Sequence, residues 1–420
     1  MIKSSRCFLL IFLLIIMSCS TTPIPHSGPA VIPEDFFGLV HAGDTGTDEE
    51  YRIIDEFGAV WLLQTFYWGR VESIQGQFDY SLYDNFVNSA KKNNKKIVAV
   101  MAYGRLGDRN RYISKENIPQ FLNYLEITVN RYKDKVDVWQ IWNEPNFVFW
   151  TGSDREFFEL AKLSAQKIRE TDPDAFIIGA GFWRTPKSFI RNMFKTGAFE
   201  NLNAISFHPY ALNPIASMKL YDDFINLMEE LNYTGEIWIT EIGYATGGIF
   251  VLKVAMKKFP SYVIKTIAGA ASRGARTLLW YHFSDRYIEG TYPNNINSAM
   301  FYGLKYSDNT KKNGAWAYIL CTRYLPGSQY NGELPIRDNI SSNIVSFCFM
   351  EGITGNNVLI IWNDKNNIQK IKVTLGSSFS FHDISTGEAD ILPDEAVLDI
   401  SNIPVFITWE GSSAPLISGF

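Results

Sequence analysis

Short apolar runs recur along the chain from about residue 36, and each is followed by a longer stretch with helical spacing. The runs are "FFGLVHAG" (36–43), "AVWLLQTFYW" (59–68), "KIVAVMAY" (96–103), "VDVWQIWNEPN" (136–146), "FIIGAGFW" (176–183), "AISFHPY" (204–210), "IWITEIGY" (237–244) and "TLLWYHFSD" (277–285). Near-continuous apolar runs of this length, without strict alternation, fit strands buried on both faces of a parallel sheet. Between them lie amphipathic segments such as "DREFFELAKLSAQKIRE" (154–170), which opens on an acid, Asp154, suited to a first helical turn. Eight such units over roughly 290 residues predict an α/β fold, a (β/α)8 TIM barrel, for which about 250 residues is typical. An open doubly wound sheet is the alternative, weakened because no Gly-rich phosphate loop follows the first run.

Polar and aromatic residues collect at the C-terminal ends of these runs: His41, Trp68, Tyr103, Asn143 with Glu144, His208 with Tyr210, Glu241, and Trp280 to Asp285. In a barrel that end carries the active site. After a last helix-like segment, "NGAWAYILCTRYL" (313–325), the texture changes to short alternating pieces such as "NIVSFCFM", "NVLIIWND", "QKIKVTL" and "VFITWEG". These predict a small antiparallel β-sandwich.

The first residues read as an export signal. Lys3 and Arg6 precede an apolar run from Phe8 to Met17, too short to span a bilayer, and "IMSC" then resembles a bacterial lipobox with Cys19 as the lipidated residue. The expected organisation is a lipoprotein signal peptide over 1–18, a flexible Pro/Ser/Thr-rich tether over 19–33, the barrel over 34–326 and the sandwich over 327–420. The expected location is the cell envelope, with the chain exported and anchored to a membrane through Cys19. Of the other cysteines, Cys7 leaves with the signal. Cys321 and Cys348 are either a disulfide or two buried thiols.

Composition narrows the function classes. A net charge of -5 on 420 residues gives no basic surface for nucleic acid. Aromatic residues make up 15% of the chain, enough to line a sugar cleft, although core packing absorbs most of them. No "HEXXH", paired "CXXC" or serine nucleophile elbow is present, so neither a metal nor a cofactor is expected.

Two carboxylates carry the chemistry. Glu144 in "WNEPN" and Glu241 in "TEIGY" each follow an apolar run, the fourth and the seventh. Across a barrel mouth such a pair suits glycosidic-bond cleavage, in which one group donates a proton and the other attacks the anomeric carbon. Alone, either would more often be a solvated strand-end acid; together, in these contexts, they point to catalysis.

"WNEPN", "TEIGY" and "SFHPY", an aromatic eighth run, and the stretch "FYWGRVESIQGQFDYSLYD" (66–84) resemble clan A glycoside hydrolases, in particular family 39 and its relatives. "ELPIRDNISS" and "IPVFITWEG" resemble the sandwich that follows the barrel there. The resemblance implies a retaining glycosidase with Glu144 as acid/base and Glu241 as nucleophile. It implies that Asn143 binds the substrate 2-hydroxyl, that His208 and Tyr210 orient the nucleophile or touch the sugar, and that Trp280 floors the subsite. Trp68, Tyr103 and His41 are further candidate sugar contacts, and Trp150, Trp183 and Tyr244 are either platforms or packing. One departure stands out: where the clan has a strand-two arginine supporting the nucleophile, this chain reads Leu63-Gln64-Thr65. Arg70 falls past the strand, so either another cation such as Arg105 replaces the missing arginine or the nucleophile's ionisation is tuned differently. Arg105, Arg109 and Arg111 otherwise read as a solvated loop.

The expected partner is an oligo- or polysaccharide, and the chain is expected to act as a monomer. The rival readings are an inactive carbohydrate-binding or adhesive lipoprotein on a hydrolase scaffold, and a transglycosylase using the same residues.

Overall fold

The computed structural model describes residues 31–105, 111–247, 253–286, 298–332, 343–365, 367–412 and 414–419. The expected signal peptide, Cys19, most of the tether, Arg109 and "ELPIRDNISS" lie outside the described residues. Among the described residues no helix is long and apolar enough to cross a membrane.

Eight strands close into a parallel barrel: β1 (Phe37–Val40), β2 (Trp61–Tyr67), β3 (Lys96–Ala102), β4 (Val138–Ile141), β5 (Ile177–Trp183), β6 (Ala204–His208), β7 (Glu236–Ile242) and β8 (Thr277–Trp280). Each pairs with its sequence neighbour, and β1 closes the ring on β8 through Phe37 opposite Leu278 and Leu39 opposite Trp280. The strands are almost wholly buried, because the barrel interior lies on one face and helices on the other. The apolar runs therefore had no reason to alternate.

Local chemistry sets the helix that follows β4. Ser153 accepts the backbone N–H of Glu156, and the Glu156 carboxylate reaches back to the Ser153 N–H, a capping box that starts the helix Asp154–Thr171 just after the "WNEPN" loop. The segment between cap and strand is thereby fixed at both ends.

Two irregularities interrupt the barrel. The β5–β6 register shifts between Gly179 and Phe182, and the β7–β8 register between Ile239 and Ile242. The second shift contains Thr240 and Glu241. Bulges of this kind turn a side chain toward a new direction and concentrate beside active sites.

The C-terminal part is the expected antiparallel β-sandwich. One sheet orders β14 (Ala389–Leu392), β13 (Phe379–His382), β16 (Val405–Glu410), β11 (Asn356–Asn363), β10 (Ile344–Met350) and β9 (Gln329–Tyr330). The other orders β15 (Glu395–Ile400), β12 (Gln369–Thr374) and β17 (Leu416–Gly419). Alternation along β10 and β11 divides the larger sheet between two cores. Phe347, Phe349, Val358, Ile360 and Trp362 join the barrel's core, while Cys348, Leu359 and Ile361 join the core between the two sheets. The larger sheet is thus buried on both faces, and barrel and sandwich share one hydrophobic core. Cys321 and Cys348 are separate buried thiols, which answers the question left open between pairing and burial.

Candidate active site

The mouth of the barrel is built at the C-terminal ends of the strands. Glu144 follows β4 with φ 45°, two residues after Trp142 at φ 65°. Such backbone is rare outside glycine and persists only where surrounding contacts impose it. Here the Glu144 N–H donates to the Gly181 carbonyl (3.1 Å), and Gln140 Nε2 donates to the Trp142 carbonyl (3.0 Å). Gly181 must be glycine: a Cβ there would lie 2.8 Å from both Gln140 Nε2 and His208 Nε2. The bulged β5, the polar barrel interior and the Glu144 turn form one framework.

His208 occupies the centre. Its Nδ1 lies 2.8 Å from Glu144 Oε1 and 3.8 Å from Glu241 Oε2, and its Nε2 lies 3.1 Å from Thr240 Oγ1. Tyr210 donates its hydroxyl to Glu241 Oε2 at 3.3 Å. One ligating atom each of Glu144, His208 and Glu241 falls within 4.8 Å of the others, the one group among the described residues able to hold a metal ion. Oε2 of Glu144 and Oε1 of Glu241 make no hydrogen bond with a described residue.

Electrostatics separates the two acids. Burial raises Glu144 to about 8, and no described charge offsets it. Burial also raises Glu241, to about 7, with the Glu144 carboxyl adding to the rise and His208 and the Tyr210 hydroxyl opposing it. Burial pushes the His208 imidazole down, so it stays neutral between the two acids. The arrangement holds a proton on the pair and favours Glu144 as its bearer.

Other expected residues fall into place unevenly. Tyr103 is buried against Tyr67, Trp142 and Phe149 and lies close enough to Asn143 and to both glutamates to feel them. His41 Nδ1 pairs with Gln64 Oε1 at 3.1 Å, and Gln64 Nε2 donates to Asp44, a polar chain along the ends of β1 and β2. A cleft of about 440 Å³ lined by His41, Asp44, His282 and Arg286 opens there, beside a hollow of about 210 Å³ that adds Gln64, Tyr67 and Arg70.

Three expectations need correction. Trp280 is fully buried and packs on Tyr244 and Phe259 in the helical layer, where no sugar reaches. Trp68 is likewise buried, against Phe121 and Tyr124, with its Nε1 donating to Glu72. Side chains on neighbouring residues of a strand point to opposite faces, so the aromatic that faces the mouth beyond β8 is Tyr281, one position on. Finally, of the two alternatives for the arginine missing from β2, a replacement cation is not found among the described residues: the groups acting on Glu241 there are His208, Glu144 and Tyr210. Arg105 sits over the Trp68 ring and Arg111 over Phe149. Trp150 and Tyr244 are packing residues, both buried.

The sequence reading missed Tyr302. Its ring centroid lies 5.4 Å from that of Tyr281 and 6.2 Å from that of Tyr210, and burial first, then the charge of both glutamates, raises its hydroxyl pKa. It reaches the mouth from a segment well beyond β8. That segment is held by a buried ion pair, Lys312 to Asp285 at 2.6 Å, and by the Gly303 N–H donating to Asp285 Oδ1 at 2.7 Å. No motif surrounds Tyr302, and only the fold brings it in.

Fold and site together define a (β/α)8 barrel with a pair of carboxyl groups, one buried and one half-buried, at its mouth and a β-sandwich fused to its flank. No family model and no curated protein sequence matches the chain. Solved structures do. The chain is similar to a family 39 glycoside hydrolase from the gut symbiont Bacteroides cellulosilyticus WH2, with a TM-score of 0.73 at 20% identity over 90% of this chain and 82% of that one. It is similar to a family 39 beta-xylosidase from Caulobacter crescentus, with a TM-score of 0.65 at 14% identity, covering 92% and 97% of the two chains. A family 30 subfamily 8 xylanase from Clostridium acetobutylicum gives 0.57 at 11% identity, covering 89% and 95%. At these identities the likeness is one of fold, and it spans barrel and sandwich alike.

Proposed function

We propose that the protein is a retaining glycoside hydrolase. The observation that carries this reading is the pair itself: a buried carboxyl group just after β4 and a half-buried one on β7, one oxygen of each within 4.8 Å, with a neutral histidine beside both. Glu241 attacks the anomeric carbon through Oε1 while Glu144 gives its proton to the departing oxygen. A covalent glycosyl-enzyme forms. Glu144, now ionised, takes a proton from water, and the resulting attack on the anomeric carbon releases the sugar and frees Glu241. The Tyr210 hydroxyl holds Oε2 of Glu241, so the attacking oxygen is positioned without a strand-two arginine. Asn143, at the mouth between Tyr103 and Glu144, is set to bind the 2-hydroxyl of the sugar.

The structural neighbours support the reading, since those named are described as glycoside hydrolases and share this fold. The test uses a panel of activated aryl glycosides with the matching 2-fluoro sugars, followed by intact mass. A stable adduct on the wild type that is absent from Glu241→Gln establishes the two-step mechanism and identifies the sugar. Inverted anomeric product, or turnover that survives Glu241→Gln, overturns it.

The reading extends to location. A lipobox-like "IMSC" and a Pro/Ser/Thr-rich tether support a membrane-anchored enzyme acting on a glycan at the envelope. Fatty-acid labelling of the full chain, lost in Cys19→Ala, tests it.

A further inference from the structure

Phe147 and Trp183 form an aromatic stack at the rim of the mouth, with ring centroids 4.0 Å apart and planes 13° from parallel. Phe147 is 42% exposed, and its neighbour Val148 is 43% exposed. An exposed phenylalanine beside an exposed valine gains little from its own fold. The stack is nevertheless held rigidly. Asn146 Nδ2 donates to the Trp183 carbonyl (2.8 Å), and the Trp183 N–H donates to Asn146 Oδ1 (3.0 Å). The Phe147 N–H donates to the Glu144 carbonyl (3.1 Å), which places the ring one turn from the proposed acid. Arg184 lies over the indole, and Phe147, with one face on Trp183, keeps 42% of its surface exposed. A hollow of about 400 Å³ lined by Pro145, Asn146, Phe147, Trp150, Pro186 and Phe189 opens beside it, large enough for a pyranose ring.

Position decides which part of a substrate this face meets. A departing group leaves from the oxygen that receives the acid's proton, so it passes over the loop carrying Glu144, while the sugar that becomes attached lies toward Glu241. The C–H face of a pyranose packs on an aromatic ring with its hydroxyls left in water. We infer that Phe147, backed by Trp183, is the platform for a leaving-group sugar ring, so that the preferred bond joins two sugars and is not the bond to a small aglycone. This rests on the hydrolase reading above.

The test compares two substrates with the same attached sugar: its glycosyl fluoride, which has no leaving-group ring, and its disaccharide. Phe147→Ala should lower kcat/KM for the disaccharide about tenfold, as expected from losing roughly 50 Å² of apolar contact, and leave the fluoride within about twofold. Phe147→Trp should restore the disaccharide rate. Equal loss on both substrates, or loss on neither, overturns the platform. If the wild type cleaves neither substrate, calorimetric titration of the full chain with xylobiose, cellobiose and mannobiose separates the two ideas. Binding weakened by Phe147→Ala and restored by Phe147→Trp keeps the sugar platform while the hydrolase fails; binding unchanged, or absent from the wild type, sinks the platform too.

Discussion

His208 Nδ1 stands 2.8 Å from Glu144 Oε1, with both side chains almost wholly withdrawn from water. A neutral imidazole in that place gives the acid a partner without giving it a positive charge. A cation there would pull the Glu144 pKa down and discharge its proton too early. The proton is held by burial and directed by a hydrogen bond.

A narrow pH optimum follows. Activity needs Glu241 ionised and Glu144 protonated, so kcat/KM should fall below about pH 7 and above about pH 8. Tyr210→Phe removes a hydrogen bond that favours the Glu241 carboxylate, so the acid limb should move to higher pH. The rate at the optimum should drop about tenfold to a hundredfold. A pH–rate profile with an unmoved acid limb would refute the role given to Tyr210.

Stability should show the same burial from the other side. With the Glu144 pKa raised from 4.5 to about 8, the folded chain binds more protons than the unfolded chain between those values. This site therefore costs stability as pH rises through that window, and nothing below it. Glu144→Gln should be more stable than wild type at pH 9, by several kcal/mol at most given about 1.4 kcal/mol per pKa unit, and equal to it near pH 4. Paired urea titrations at the two pH values measure the difference.

Trp280 and Tyr302 should behave oppositely. Trp280→Ala opens a cavity in the helical layer and should cost about 3–5 kcal/mol with KM little changed in the folded fraction. Tyr302→Ala should leave the melting temperature nearly unchanged and alter kcat/KM. Thermal melts and kinetics on both variants check this, and a changed KM in Trp280→Phe would return that residue to the site.

The Lys312–Asp285 pair is a further test of what positions Tyr302. Both side chains are 0–1% exposed. Lys312→Met leaves Asp285 charged in a dry site and should cost about 3–5 kcal/mol, part of which Lys312→Met with Asp285→Leu should recover. Denaturant titration of the single and double variants gives the coupling.

Much of this protein was legible in its order of residues. Eight apolar runs with helical spacing between them impose a barrel, because strands buried on both faces need no alternation and must be crossed over by helices. Glu144 and Glu241 were legible because a carboxylate placed after a buried strand is costly without a purpose. The alternation of Phe347, Cys348 and Phe349 encodes a strand packed on both sides, although not what lies on each.

Direction was decided elsewhere. Whether Trp280 or Tyr281 faces the mouth turns on one residue of parity, which depends on how β8 is seated between β1 and β7. Tyr302 joins the site through contacts with Tyr281 and Tyr210, residues distant from it in sequence or on other strands. The proton affinities of the glutamates likewise depend on how completely the packed mouth removes water from them. Local order chose the elements and the acids; the closed tertiary packing chose which way each side chain points and how tightly each acid keeps its proton.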